Sequence, residues 1–172
     1  MDDSAAAAPS LSISEIRHLL EEYCRGQINR RESFDGRKAA VLIPLIWKDN
    51  EWQLLFTRRS EGVNDHKGQV SFPGGAVDAT DKNVYQAALR EANEEIGLES
   101  KDAEILGRLK DYLTISDYVI SPIVARVNWP FEIRTNPEEV ERVFSVPLTF
   151  LGDPKNLETR QYTFKDKTRT RV

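Results

Sequence analysis

The sequence predicts an α/β fold of the α+β type. Three observations predict it: a helical pattern near the N-terminus, several apolar strand patterns, and a glycine turn that leads into a second helix between the strands. The 172 residues suffice for a single domain with a substantial core, which we expect over residues 11–172 after a flexible tail at 1–10. The chain stops within a predicted strand, which leaves a C-terminal truncation open.

The first predicted helix follows the tail. Ser12 and Glu15 have the spacing of a capping box, in which each side chain bonds the other residue's backbone N–H. Apolar residues then recur at helical spacing up to Gly26, namely Ile13, Ile16, Leu19, Leu20 and Tyr23. Cys24 lies within this pattern, so we interpret it as a small core residue. As the single cysteine, it excludes an internal disulfide.

A hairpin is predicted next, with a buried strand at 38–48, an Asp-Asn turn, and a partner strand at 51–59. Trp47 and Trp52 flank the turn. They could stack on a base, but packing against each other across the hairpin is the favoured interpretation. Further strands are predicted at 103–110 and 119–127, and a second hairpin at 159–164 and 167–172.

The second helix follows a turn at Pro73, Gly74 and Gly75, where the backbone can approach a ligand closely. Gly97 is placed to end this helix, as a C′ glycine commonly does. One stripe of the helix is apolar and is expected to face the core; it contains Tyr85, Ala88, Leu89, Ala92 and Ile96.

Three carboxylates lie on another side of the helix. Glu91, Glu94 and Glu95 stand at i, i+3 and i+4, so their side chains emerge within about one turn and repel each other. A hard cation such as Mg²⁺ would offset that repulsion. The alternative is an acidic solvated face on which Arg90 pairs with Glu94.

The run from Gly75 to Leu98 resembles the Nudix box, whose usual form is G, five residues, E, seven residues, then R-E-apolar-x-E-E-x-G-apolar. Residues 90–98, REANEEIGL, match every fixed position. In the first half Asp81 replaces a glutamate, and one extra residue separates it from Arg90. The resemblance implies a Nudix-like α/β/α sandwich with a mixed β-sheet and a catalytic loop-helix motif.

It also implies a pyrophosphohydrolase that depends on Mg²⁺ or Mn²⁺. In this interpretation Glu91 and Glu95 hold the cation, and Glu94 serves a second ion or acts as general base. Arg90 orients a glutamate by pairing with it. A backbone carbonyl of Gly74 or Gly75 is a further candidate ligand.

A second signature precedes the box. Residues 55–75, LFTRRSEGVNDHKGQVSFPGG, resemble the pattern of the coenzyme A pyrophosphatases, L-L-T-x-R-S, three residues, R, three residues, G, three residues, F-P-G-G. Asn64 stands where that pattern has an arginine. The resemblance implies cleavage of coenzyme A or acyl-coenzyme A to 3′,5′-ADP and the 4′-phosphopantetheine product. Arg59, Ser60 and Lys67, together with the glycine turn, would hold the substrate.

A third stretch, residues 136–156, resembles the same subfamily, in which N-x-x-E-V leads to V-F-x-V-P-L. Glu139 is therefore a candidate for a further metal ligand or for the base that activates water. The alternative is a surface acid beside Arg142.

Composition limits the partners. The net charge of −4 does not indicate a nucleic-acid surface, and no apolar run approaches the length of a membrane span. We therefore expect a small-molecule nucleotide substrate, no nucleic acid and no membrane, with a homodimer left open. The expected location is cytoplasmic, with an organelle left open. Two alternative functions remain: hydrolysis of another nucleoside diphosphate derivative, such as ADP-ribose or a dinucleotide, and nucleotide sensing without catalysis.

Overall fold

The computed structural model describes residues 11–25, 36–61, 67–114, 116–158, 160–164 and 167–171, the last two stretches by their backbone alone. The predicted tail at 1–10 lies outside the described residues, and so does Asn64, the residue that stands where the coenzyme A pyrophosphatase pattern has an arginine.

The first helix, α1, spans Ile13–Arg25. Its predicted capping box is present: the Ser12 N–H donates to Glu15 Oε2 at 2.7 Å, and the Glu15 N–H donates to Ser12 Oγ at 3.3 Å. Cys24 differs from the prediction, since it is only partly buried and its Sγ donates to the Arg108 carbonyl at 2.8 Å. It fastens the end of α1 to a strand without entering the core.

The first hairpin agrees with the prediction, with β1 at Arg37–Lys48 and β2 at Glu51–Arg59. Asp49 and Asn50 adopt φ angles of 53° and 61°, the left-handed conformation that tight two-residue hairpins require and that Asp and Asn tolerate. Trp47 and Trp52 pack edge to face with ring centroids 5.0 Å apart, as the favoured interpretation predicted.

The main sheet is mixed, because β1 pairs in parallel with β7 whereas the other pairings are antiparallel. Its strand order is β3-β2-β1-β7-β5, with β4 on β1, β6 on β7 and β8 on β2. The remaining strands of this sheet are β3 (Val70–Ser71), β4 (Gly74–Ala76), β5 (Ala103–Arg108), β6 (Tyr112–Leu113), β7 (Tyr118–Val127) and β8 (Val140–Pro147). The predicted second hairpin is also present, as β9 (Arg160–Phe164) and β10 (Lys167–Arg171).

The second long helix, α2, spans Val84–Ile96, and a short helix, α3, spans Leu148–Gly152. Asn83 caps α2 by accepting from the N–H groups of Tyr85 and Gln86, and Gly97 ends it with a φ of 74°. Tyr85 was predicted in the core stripe but is 36% exposed, whereas Ala87 is buried. Tyr85 is the second residue of the helix, and its ring extends into solvent from the first turn.

The two helices cover opposite faces of the sheet. Residues Ala40, Leu42 and Ile46 of β1 cluster with the buried residues of α2, while Ile43 and Leu45 cluster with the apolar face of α1. Side chains alternate between faces along a strand, so this division defines three layers in the order α/β/α. Within the described residues, no helix is long and apolar enough to cross a membrane.

Candidate functional site

The glycine turn is built into the sheet beside α2. Gly74 and Gly75 belong to β4, where they pair with Val41 and Ala40 of β1. A Cβ on Gly74 would lie 2.4 Å from the Ala40 carbonyl oxygen, and a Cβ on Gly75 would lie 2.6 Å from the carboxylate of Glu91. A side chain at position 74 would therefore clash with the backbone of the sheet, and one at position 75 would displace the Glu91 carboxylate.

Glu95 is the most buried acid of the site, with 4% exposure. Its carboxylate accepts from the Gly74 N–H, but Oε2 is buried without a hydrogen-bond partner among the described residues. Burial, and to a smaller extent the charges of Glu91 and Glu139, raise the pKa of Glu95 to about 7 in spite of the opposing charge of Arg59. Since buried polar atoms are usually hydrogen-bonded, this unpartnered oxygen is a candidate ligand for a bound cation.

Glu91 lies next to it with a side chain 15% exposed, and Arg90 Nη1 is 2.9 Å from Glu91 Oε1. Burial raises the pKa of Glu91, and the charges of Glu94 and Glu139 raise it too, while Arg90 opposes the shift. Since the charge of Glu139 raises the pKa of both Glu91 and Glu95, these three carboxylates belong to one acidic centre.

Arg90 organises the outer edge of this centre. It meets Asp81 at two points, Nε to Oδ1 at 3.2 Å and Nη2 to Oδ2 at 3.0 Å, and it donates to the Ala76 carbonyl at 3.0 Å. Arg90 Nη1 also donates to Glu94 Oε2 at 3.0 Å. Hydrogen bonds from Arg90 lower the pKa of Asp81. Arg90 thus pairs with Glu91 and Glu94, and Asp81 in turn holds Arg90.

Glu94 is the outermost of the three predicted acids, with a side chain 56% exposed. The structure places it on the same side as Glu91, and its hydrogen bond to Arg90 is the pairing that the alternative interpretation predicted.

Glu139 approaches from the turn before β8, where Asn136 Nδ2 donates to Glu139 Oε1 at 3.1 Å. Glu139 is partly buried, and its charge raises the pKa of Glu91 and Glu95. Both features favour a place in the site over the alternative of a surface acid beside Arg142.

The predicted substrate-binding residues occupy different environments. Arg59 is the last residue of β2. Its Nε is buried and has no hydrogen-bond partner among the described residues, and its positive charge lowers the pKa of Glu95. Ser60 is 8% exposed and donates its hydroxyl hydrogen to the Glu138 carbonyl at 2.6 Å. Ser60 thus fastens the turn before β8, and its contact with substrate stays a prediction. Lys67 is exposed near the start of β3.

Two residues of the site were missed as positioning elements. In the sequence Asp81 stands out only as a departure from the box pattern, although its side chain is 1% exposed and it is the partner of Arg90. Asn136 was noted only as part of a family pattern. The Asn-Pro dipeptide at its position was the available signal, since Asn commonly bonds the backbone two residues on.

The donor set fits a hard divalent cation. It consists of carboxylate oxygens, one of them buried without a partner, beside a turn that brings backbone close to Glu91. Among the side chains that the structure describes, no three His, Cys, Asp or Glu residues are already grouped as a set of metal ligands. Two of the predicted ligands, Glu91 and Glu94, instead pair with Arg90.

A three-layer α/β/α fold, in which a glycine turn and an acidic helix flank one end of a mixed sheet, is the fold of the Nudix class. The NUDIX domain model matches residues 36–167 of this chain. The chain therefore belongs to the Nudix family.

Its relatives include two bacterial proteins, each named "Uncharacterized Nudix hydrolase NudL". The one from Photorhabdus laumondii is 41% identical over 120 residues, which cover 70% of this chain and 64% of that protein. The one from Escherichia coli O139:H28 is 43% identical over 141 residues, covering 78% of this chain and 72% of that protein. The chain thus spans less than two thirds of the Photorhabdus protein's length.

Solved structures share the fold at low identity. A Nudix hydrolase from Alicyclobacillus acidocaldarius superposes with a TM-score of 0.56 at 20% identity, covering 70% of this chain and 82% of that one. The Caenorhabditis elegans Ap4A hydrolase binary complex superposes with a TM-score of 0.55 at 21% identity, covering 66% of this chain and 81% of that one. The NUDIX domain of Shewanella oneidensis NrtR, complexed with ADP ribose, superposes with a TM-score of 0.54 at 18% identity, covering 76% of this chain and 84% of that one.

Proposed function

We propose that this protein is a metal-dependent pyrophosphohydrolase that cleaves the diphosphate of coenzyme A or acyl-coenzyme A. One water is consumed: its oxygen bonds to phosphorus, the bridging P–O bond breaks, and 3′,5′-ADP and the 4′-phosphopantetheine product leave. The observation that carries the proposal is the buried Glu95 carboxylate, which has an unpartnered oxygen beside Glu91 and Glu139. Such a group is poised to bind a cation.

Glu91 and Glu95 would hold Mg²⁺ or Mn²⁺, with Glu94 and a carbonyl of Gly74 or Gly75 as further donors. When bound, the cation would neutralise phosphate oxygens and lower the pKa of a water molecule. Arg90 Nη1 bonds Glu94 Oε2 at 3.0 Å, which leaves Glu94 Oε1 as the oxygen that would bind the cation. Arg90 would keep its contacts with Asp81 and Glu91.

Glu139 is the acid best placed to take the proton of the attacking water. It is partly buried, lies in the same acidic centre as Glu91 and Glu95, and is not engaged by Arg90 in the contacts described. Asn136 Nδ2 donates to Glu139 Oε1 at 3.1 Å, which fixes the direction of the carboxylate and leaves Oε2 to accept a proton. Glu94 is the second candidate base.

The coenzyme A assignment is supported by the pattern of residues 55–75 and by Arg59. The buried Nε of Arg59 has no described hydrogen-bond partner and can donate to a phosphate oxygen, which satisfies the guanidinium and adds positive charge where negative charge accumulates. Lys67 is exposed and free to reach the 3′-phosphate of the ribose.

A second candidate substrate is another nucleoside diphosphate derivative. The observation that favours it is Asn64, because it removes a cation that the coenzyme A pattern contains. ADP-ribose and diadenosine polyphosphates are the probes, chosen because structures of the same fold are described as an ADP ribose complex and an Ap4A hydrolase.

The test is a product assay with coenzyme A, acetyl-coenzyme A, ADP-ribose and a dinucleotide, each with Mg²⁺ and with chelator. Metal-dependent release of 3′,5′-ADP from the coenzyme A substrates supports the proposal. Cleavage of ADP-ribose or the dinucleotide alone retains the chemistry and overturns the substrate assignment. Binding of nucleotide without cleavage of any probe favours the sensor alternative.

A further inference from the structure

The turn before β8 is organised by Asn136. The Asn136 N–H donates to the Glu95 carbonyl in the last turn of α2 at 3.2 Å. The Asn136 carbonyl accepts from the N–H groups of Glu139 at 3.0 Å and Val140 at 2.8 Å. The main chain of Asn136 therefore joins the helix that carries Glu95 to the turn that carries Glu139.

The side chain of Asn136 performs two further tasks. Its Oδ1 accepts from the Glu138 N–H at 3.1 Å, which closes the turn, and its Nδ2 donates to Glu139 Oε1 at 3.1 Å. The acceptor end is used for the backbone and the donor end for the carboxylate. A residue that keeps only the acceptor end would preserve the turn and release Glu139.

Glu139 needs such a restraint. Burial is the main cause of the raised pKa values of Glu91 and Glu95, and the charge of Glu139 adds to both, so the three carboxylates repel one another. An unrestrained Glu139 side chain would rotate toward solvent, where water solvates its charge. The Nδ2 donor of Asn136 opposes that rotation.

Ser60 fixes the same turn without touching the carboxylate. Its N–H donates to the Glu139 carbonyl at 2.9 Å, and its hydroxyl donates to the Glu138 carbonyl at 2.6 Å. The backbone of the turn is thus anchored to the end of β2 independently of the Asn136 amide. What depends on the amide is the direction of the Glu139 side chain.

We propose that Asn136 is a positioning residue of the site, whose side-chain amide holds the Glu139 carboxylate toward Glu91 and Glu95. The inference rests on the proposed function in one respect, the use of Glu139 during hydrolysis. The orientation of Glu139 itself can be tested without any activity.

Two variants separate the tasks of Asn136. Asn136→Asp keeps an acceptor for the Glu138 N–H but replaces the donor with a second negative charge. Asn136→Ser keeps a weaker acceptor, replaces the Nδ2 donor with a single hydroxyl on a shorter side chain, and leaves the charge unchanged. Asn156→Asp is the matched control, since Asn156 Nδ2 donates to the Phe150 carbonyl on an exposed segment. It makes the same change of residue and charge outside the site.

Crystal structures of the wild type and the two Asn136 variants, each with and without Mg²⁺, test the orientation. The expected result is a retained turn at 136–139 with the Glu139 side chain rotated away from Glu91 and Glu95 in both variants. A Glu139 carboxylate that keeps its wild-type position in both would overturn the proposal, whether or not the protein hydrolyses any substrate.

Kinetics test the consequence. Both variants should lose about 10- to 100-fold in kcat, the range typical of partners that orient a functional group, with little change in KM and in the thermal unfolding midpoint. Adding either substitution to Glu139→Gln should cost little more, because the side chain being positioned is already impaired. Wild-type kcat in both variants would contradict the proposal. A wild type that cleaves no diphosphate would overturn the proposed function instead, and the crystallographic comparison would still decide the role of Asn136.

Discussion

Asp81 and Arg90 form a two-point salt bridge, with Arg90 Nε 3.2 Å from Asp81 Oδ1 and Nη2 3.0 Å from Oδ2. The Asp81 side chain is 1% exposed, and its Oδ2 also accepts from the Asp78 N–H at 2.8 Å. This relationship explains how the chain accommodates two departures from the usual box pattern. The turn from Asp78 to Asp81 presents the shorter acid to Arg90 in spite of the extra residue between them.

The salt bridge should contribute strongly to stability. Replacing Asp81 with Asn removes the two-point partner of Arg90, which keeps Glu91 and Glu94, and we expect a loss of about 2 kcal/mol in the free energy of unfolding, as for lost hydrogen bonds to charged groups. Urea unfolding measures it. Glu99→Gln is the control, because the exposed pair of Glu99 with Lys101 should contribute little to stability. An equal loss in both variants would show that Asp81 has no special role.

The part of the site that lies on one helix could be predicted from the sequence. Glu91, Glu94 and Glu95 are neighbours through helical spacing alone, and Gly97 ends the helix through its own conformation. The role of Asn136 could not be predicted in this way, because it depends on a contact with the end of α2 that only the folded chain creates.

In the fold, too, some features could be predicted from the sequence and others could not. The first hairpin was predictable because its turn residues, Asp49 and Asn50, themselves adopt the left-handed conformation that the turn needs. Helical periodicity predicts which side of α2 faces the sheet, but it does not predict how far along the helix the sheet extends. Tyr85 lies on the predicted side and is still exposed at the start of the helix. The pairing of β4 with β1 had no sequence signal, since the three residues of β4 read as a turn.

Gly75 should affect activity more than folding. A Cβ at this position would lie 2.6 Å from the Glu91 carboxylate, which is the flexible end of a side chain and can move aside. We therefore expect Gly75→Ala to lower kcat by about 10-fold or more through displacement of Glu91, with a small change in stability. Steady-state kinetics and thermal unfolding measure the two effects. Gly152→Ala is the matched control, because nothing lies within 4 Å of its Cβ position; similar kinetics in the two variants would contradict the prediction.

The metal-free protein should lose stability as the pH rises. The pKa of Glu95 is raised to about 7 from 4.5, so in that interval the folded protein holds a proton that the unfolded chain has released. Stability falls where the folded state binds more protons, by about 3 kcal/mol between pH 4.5 and 7 for this one group. Urea unfolding in chelator across this range measures the fall. Glu95→Gln should show a smaller fall, and an unchanged pH dependence in that variant would assign the effect to another group.

Glu95→Gln should also abolish most of the hydrolytic activity while leaving the fold intact. The substitution preserves the volume of a buried side chain, and it removes the charge that the proposed cation site requires. Folding should be little affected or slightly improved in the absence of metal, since the unpartnered carboxylate is replaced by a neutral amide. We expect turnover to fall by orders of magnitude at saturating Mg²⁺, measured with the substrate that the wild type cleaves. Mg²⁺ should also stabilise the wild type against thermal unfolding and should not stabilise the variant, because a ligand stabilises only the state that binds it. A variant that kept near wild-type turnover and the full Mg²⁺-dependent stabilisation would show that the cation is held elsewhere.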